Sequence, residues 1–274
     1  MQLIVDPADL TTLQRLLTAH GVRPKKRLGQ NFLVDPGYAD RVVSAAGVRP
    51  RDAVLEVGAG PGTLSVRFAA IAGRLTCVEL DRRLVHVLRE VLAGHDNVAI
   101  VEGDVLKLSL PPVAIVAGNI PYYLTGALIP LLLDKPEPPR RLSLVVQREV
   151  AERWTTSGDW SLATLSVSAL AEAELRFVIP AGAFWPRPQV DSALVTLEVR
   201  DQPAINVADL SLFFRFAERL FQFRRKQLSA SLARLGHAGA GERLAALDIE
   251  PTRRPQTLSL SEWARVYREF GASP

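Results

Sequence analysis

Only one cysteine occurs in the 274 residues, so Cys77 can form no disulfide within the chain. Four histidines, His20, His86, His95 and His237, share no spacing, read as surface residues and with a single thiol cannot assemble a zinc site. No apolar run approaches the roughly 18 residues needed to cross a bilayer. The opening MQLIVDPADL lacks the basic stretch and apolar core of a secretory leader. Internal repeats and low-complexity tracts are also missing. Hydrophobic residues make up 48% and charged residues 23%, which excludes a disordered chain, a collagen-like repeat and a coiled coil. These absences point to a soluble cytoplasmic protein whose chemistry uses neither metal nor reactive thiol.

What is present is a small and uneven excess of positive charge. The formal net charge is +4. Residues 1–200 hold 22 cations and 21 acids, whereas residues 201–274 hold 11 and 8. Plain solubility explains a modest net charge, but the clustering adds a second reading. Arg23, Lys25, Lys26 and Arg27 lie together near the start. Between Phe213 and Leu235, Arg215, Arg219, Arg224, Arg225, Lys226 and Arg234 face a single acid, Glu218. Both clusters are candidate nucleic-acid contacts.

The length suits one large domain and a small one. Asp6, Pro7 and leucines at 10, 13, 16 and 17 predict a first helix capped by Asp6 and ended by Gly21. From Asp52 the texture becomes α/β. Apolar runs begin near Ala53, Leu75, Val98, Val113 and Leu142, and suit parallel strands buried on both faces. ELRFVI, a proline-punctuated AFWPRPQVDS and an alternating ALVTLEV follow. Beyond residue 201 the pattern turns helical, with helices expected over 210–221, 225–235 and 261–270. The boundary between the two domains is placed there.

The strongest local signal is Gly58-Ala59-Gly60-Pro61-Gly62 between a strand and a helix. Glycines let the backbone turn tightly and let a ligand approach. Glu79, about 20 residues on at the end of the next strand, is placed to accept ribose hydroxyls. Thr63 stands where a nicotinamide fingerprint needs its last glycine, and no Walker lysine follows. GxGxG with a downstream acid is the form usual in S-adenosylmethionine-dependent methyltransferases; a dinucleotide enzyme and a turn with no ligand are the alternatives. Asp104, after the third strand, is placed to accept an adenine amine or to turn the chain.

Asn119-Ile120-Pro121-Tyr122-Tyr123 ends the fourth strand. The exocyclic amine of adenine is a poor nucleophile because its lone pair is delocalised into the ring. An Asn carbonyl oxygen and a carbonyl before or at Pro121 can accept both amine hydrogens and aim that lone pair at a methyl sulfonium. Tyr122 offers a face for the base. Such catalysis rests on positioning and electrostatics. A strand-ending Asn-Pro turn is the plain alternative.

Together with KKRLGQNFL (25–33), ELD (79–81), EGD (102–104), FWPRPQVDSALVTL (184–197) and FRRKQLSASL (223–232), these motifs resemble the KsgA-type family of small-subunit ribosomal RNA adenine N6,N6-dimethyltransferases across nearly the whole chain. The resemblance implies a Rossmann-like class I S-adenosylmethionine-dependent methyltransferase with a smaller C-terminal all-α domain. Residues 1–200 would form the catalytic domain and 201–274 a helical RNA-binding domain. Asn31 and Leu33 would touch S-adenosyl-L-methionine, Gly58 and Gly60 would pass beneath it, Glu79 would hold its ribose and Asp104 its adenine. Asn119, Pro121 and Tyr122 would form the catalytic site, with Phe184 stacking on the opposite face of the target adenine. Lys25, Lys26, Arg27, Arg224, Arg225 and Lys226 would contact 16S rRNA in the immature small subunit, with a monomer as the simplest state. The implied reaction dimethylates two adjacent adenines in a hairpin near the 3′ end. Two other readings are a large-subunit rRNA methyltransferase of the resistance type and a ribosome assembly factor. Tyr123, and Gln227-Leu228-Ser229-Ala230-Ser231, depart from residues common in relatives. Cys77 reads as a buried small hydrophobe.

Overall fold

The computed structural model of the chain describes residues 6–156 and 160–271. Residues 1–5, read above for the absence of a leader, lie outside the described residues. The first helix, α1 (Leu10–Ala19), is capped by Asp9, whose carboxylate accepts the Thr12 N–H at 2.8 Å. The cap expected at Asp6 is corrected. Asp6 instead accepts the Ala8 N–H at 2.9 Å and is held by both ends of the Arg67 guanidinium, at 2.8 and 2.9 Å. Gly21 does end the helix, with φ +60°.

A loop leads to the short strand β1 (Phe32–Leu33) and then α2 (Pro36–Ala45), with Asp35 as cap and Pro36 in the first turn. The sheet proper begins with β2 (Ala53–Val57), α3 (Ser65–Ile71), β3 (Arg74–Glu79), α4 (Arg82–Val91), β4 (Val98–Glu102) and β5 (Ile115–Asn119). It continues through α5 (Thr125–Leu133), β6 (Arg141–Gln147), α6 (Arg148–Thr155), α7 (Leu162–Leu170), β7 (Ala171–Ile179), β8 (Phe184–Trp185) and β9 (Ser192–Val199). Residues 201–209 link β9 to four helices: α8 (Leu210–Phe221), α9 (Leu228–Arg234), α10 (Ala240–Ala245) and α11 (Leu260–Phe270). The helix expected over 225–235 starts three residues later, because Arg224, Arg225 and Lys226 form an exposed turn.

The seven-stranded sheet has the order β4-β3-β2-β5-β6-β9-β7. Its first five strands are parallel, and β9 is antiparallel to both β6 and β7. The chain runs outward from β2 toward β4, then returns to place β5 on the other side of β2. That reversal opens a crevice at the carboxyl ends of β2 and β5, where ligands of such sheets bind. Gly118 shows how closely these strands approach. A Cβ there would lie 2.3 Å from the Val57 carbonyl oxygen, and φ is +153°.

Side chains alternate between the two faces of the sheet. Val54, Ile115, Ala117 and Val145 join Phe68 and Leu88 in one core. Leu55, Val57, Val116 and Leu144 join a second core that runs through α5 and α7 into Phe213 and Trp263 of the C-terminal helices. Phe213 and Trp263 are fully buried and meet edge-on at 6.3 Å. Burying each such ring contributes roughly 2–3 kcal/mol. The C-terminal helices therefore share a continuous core with the sheet. The strand expected near Val98 is half-exposed rather than buried on both faces, because β4 is the sheet edge.

Candidate active site

The cleft lies at the carboxyl edge of the sheet and has a volume of about 210 Å³. After β2 the chain turns through Gly58 and Gly60, at φ +70° and +59°, a region open to glycine without a Cβ clash. The Gly58 and Ala59 N–H groups donate to the Val78 carbonyl at 2.9 and 3.2 Å, fastening the turn to β3. The Gly60 N–H donates to Glu79 Oε2 at 2.8 Å, and the Asp81 N–H donates to Oε1 at 2.8 Å. Glu79 is 7% exposed. Burial pushes its pKa up, and these backbone hydrogen bonds oppose the rise. Each carboxylate oxygen keeps a further lone pair for a hydroxyl donor.

Asp104 lies in the turn after β4 and lines the cleft. Its Oδ1 accepts the Leu106 N–H at 3.1 Å, so it turns the chain, while its Oδ2 faces the exposed Lys107 ammonium at 3.8 Å, a long pair that leaves room for a further donor. Leu80, Val105, Leu106 and Tyr123 supply apolar surface between the two acids. Two acids and a glycine turn lining one cleft with these apolar side chains fit a ligand such as S-adenosylmethionine, which carries hydroxyl and amine donors on a sugar and an apolar ring.

Asn119 ends β5 and lines the same cleft. Its Nδ2 donates to the Asn31 carbonyl at 2.8 Å, which leaves Oδ1 as the acceptor. Pro121 abuts both Gly58 and Gly29 and lines the cleft. Tyr122 is half-buried, its hydroxyl 3.0 Å from Ser192 Oγ, and burial raises its pKa.

The N-terminal segment and the FWPRPQ motif meet in a two-stranded ribbon, with Phe32 opposite Trp185 and Leu33 opposite Phe184. This places Asn31 at the cleft. Leu33 instead sits behind the glycine turn, beside a small cavity shared with Gly58, Gly60 and Asn119. Phe184 is 3% exposed within the core and does not line the cleft. Tyr123, noted in the sequence only as a departure from relatives and given no role, does line the cleft and is 58% exposed.

Among the basic residues, Lys25 is held by Asp81 with Nζ 2.8 Å from Oδ2, while Lys26 and Arg27 are exposed on the following turn. Arg224, Arg225 and Lys226 are exposed, and no ion pair to them is seen among the described residues.

Glu56, passed over in the sequence as part of an apolar run, lies beneath the glycine turn and is 1% exposed. The Cys77 thiol approaches its Oε2 at 3.6 Å. Burial pushes the Glu56 pKa to about 8. Cys77 is itself wholly buried, as an apolar strand residue should be. His237, read above as a surface residue, is 7% exposed with its ring edge-on to Phe270 at 5.3 Å.

Comparison with known proteins accounts for nearly all of the chain. It is 38% identical to ribosomal RNA small subunit methyltransferase A of Pelotomaculum thermopropionicum, covering 98% of each chain. It is 36% identical to the protein of the same name in Enterococcus faecalis, covering 96% of this chain and 97% of that one. The solved structure of the 23S rRNA methyltransferase ErmE matches with a TM-score of 0.64 and 30% identity over 88% of this chain and 99% of that one. A dimethyladenosine transferase from Plasmodium falciparum shares the fold, with a TM-score of 0.70 and 23% identity over 86% of this chain and 96% of that one. The fold is thus the Rossmann-like one of class I methyltransferases. With residues 21–271 also matched by the family described as ribosomal RNA adenine dimethylase, the chain belongs to that family.

Proposed function

We propose that the protein transfers methyl groups from S-adenosyl-L-methionine to N6 of two adjacent adenines near the 3′ end of 16S rRNA, giving N6,N6-dimethyladenosine. The observation that carries this reading is the orientation of Asn119. Its N–H is spent on the Asn31 carbonyl, so its carbonyl oxygen is the atom left to receive an amine hydrogen. Pro121 fixes the backbone that follows and offers no competing N–H.

Bound in the cleft, S-adenosyl-L-methionine supplies an electrophilic methyl group on a sulfonium. Glu79 accepts the ribose hydroxyls and Asp104 the adenine amine, while Gly58 and Gly60 leave space beside Asn31 and Phe32 for the remainder. Asn119 and the adjacent carbonyls hold the target N6 with its lone pair toward the methyl carbon. As the new C–N bond forms, the sulfonium–methyl bond would break to leave S-adenosylhomocysteine, and the amine proton would pass to solvent. Tyr122 stacks on the base, its ring steadied by the Ser192 hydroxyl. Phe184 is assigned the other face, with the added requirement that a ring 3% exposed be uncovered before it can stack.

Residues 1–200 are assigned to catalysis and 201–274 to RNA binding. Lys26, Arg27, Arg224, Arg225 and Lys226 are assigned to rRNA phosphates in the immature small subunit, while Lys25, expected beside them, is engaged by Asp81. The enzyme is proposed to act in the cytoplasm as a monomer; no helix among the described residues is long and apolar enough to cross a membrane. Full-length similarity to ribosomal RNA small subunit methyltransferases supports that substrate over the 23S rRNA that ErmE methylates. Offering labelled S-adenosyl-L-methionine with purified small and large subunits tests the reading. Label is expected in small-subunit rRNA and to be lost with Asn119→Ala. Label confined to the large subunit, or none at all, overturns it.

A further inference from the structure

A buried carboxylate not yet assigned connects the parts of this cleft. Asp81 caps α4 through Oδ1, which accepts the Arg83 N–H at 3.3 Å. Its side chain is 4% exposed, and Oδ2 receives Lys25 Nζ at 2.8 Å and Gln30 Nε2 at 3.2 Å. Gln30 closes the circuit, its Oε1 accepting the Lys25 backbone N–H at 2.7 Å. Residues 25–31 therefore form a strap fastened at Asp81 and again at Asn119, through the Asn31 carbonyl. The strap walls the cleft with Leu28, Gly29, Gln30 and Asn31. Asp81 also donates its backbone N–H to Glu79. One run of hydrogen bonds thus links the ribose acid, the strap and the catalytic amide.

The chemistry of Asp81 separates two jobs. Burial alone would raise its pKa, but hydrogen bonds from Lys25, Gln30 and the Arg83 backbone outweigh burial and hold it below the ordinary carboxylate value. A charge-assisted bond at a mostly buried oxygen is stronger than a surface ion pair. The cap needs only one acceptor oxygen, which Asn supplies as well as Asp. The strap needs the second oxygen as well.

We propose that Asp81 is a positioning residue that latches the 25–31 strap over the cofactor cleft and, through Asn31, orients the Asn119 amide. The inference rests on the reading of the cleft as an S-adenosyl-L-methionine site. A ligand under the strap and a latch at its end favour the same closed arrangement, so each strengthens the other.

Asp81→Asn keeps the cap but turns an amide N–H₂ toward the donors of Lys25 and Gln30. Gln30→Met breaks the latch from the strap side and leaves α4 untouched. The measurements are S-adenosylhomocysteine affinity by calorimetry and the rate of trypsin cleavage after Lys26 and Arg27, with and without that ligand. Each variant is expected to bind S-adenosylhomocysteine about 10-fold more weakly, the size of one charged hydrogen bond. Each should be cleaved several-fold faster, with less protection by ligand, and the double variant should be little worse than Asp81→Asn. Wild-type affinity together with wild-type cleavage in both single variants overturns the latch alone. Failure of the wild type itself to bind S-adenosylhomocysteine overturns the cofactor reading, and the latch with it.

Discussion

Asn119 Nδ2 donates to the backbone carbonyl of Asn31 at 2.8 Å, across 88 residues of chain. Because the acceptor is a main-chain oxygen, the bond survives any change to the Asn31 side chain. Asn119→Ala is expected to cut turnover by about 10²–10³-fold, the usual cost of losing one oriented polar group. Asn31→Ala leaves the carbonyl in place and should cost turnover much less. Single-turnover kinetics on small subunits compares the two, and equal losses would show that the hydrogen bond does not set the orientation.

The aromatic residues at the cleft should separate by which step they affect. Tyr122→Ala and Phe184→Ala are expected to lower turnover more than cofactor affinity, because neither ring lines the cofactor cleft. Tyr123 lies against the cleft near both acids, whose charges help to raise its pKa after burial. Tyr123→Ala should instead weaken S-adenosylhomocysteine binding, by roughly 1 kcal/mol or about fivefold. Calorimetry beside kinetics reads the split. Equal cofactor losses for all three would contradict these roles.

Much of this arrangement was legible because it is local. Continuous apolar runs marked the central strands, and the glycine turn and NIPYY fall at strand ends that any parallel sheet gathers at one edge. Contacts between distant segments were not legible. Nothing near Lys25 announces that Asp81 will hold it, so it read as a free RNA contact. Asp6 looked like a cap until Arg67 of α3 claimed its carboxylate. ALVTLEV alternates as a half-exposed strand would, yet β9 lies between β6 and β7 and is buried almost throughout. Phe184 carries no local sign that pairing with Leu33 will bury it.

Glu56 gives the fold a pH dependence of definite sign. Its pKa is about 8 in the folded protein against an ordinary 4.5, mainly because burial penalises the carboxylate. Between those values the folded state holds a proton that the unfolded chain has released. Stability from this group is therefore complete below about pH 4.5 and is lost as pH rises toward 8. Glu56→Gln places a neutral amide in the same volume, so between pH 4.5 and about 8 its melting temperature should decline less than that of the wild type. Parallel declines in a thermal scan would show that Glu56 is not the group responsible.

The exposed Arg224-Arg225-Lys226 turn is expected to act on rRNA phosphates. Replacing all three by Ala should weaken small-subunit binding and flatten the dependence of log affinity on log salt by about 2–3. The comparison is best made in the Asn119→Ala background, where binding is measured without turnover. An unchanged slope would place the RNA grip elsewhere.

The most direct test of the whole account is mass-spectrometric mapping of methyl groups on rRNA after immature small subunits are incubated with the enzyme and S-adenosyl-L-methionine. The account requires dimethylation of two adjacent adenines near the 3′ end of 16S rRNA, absent when Asn119 is replaced by Ala. Unmodified 16S rRNA, methyl groups on atoms other than adenine N6, or the same modification with Asn119→Ala would contradict it.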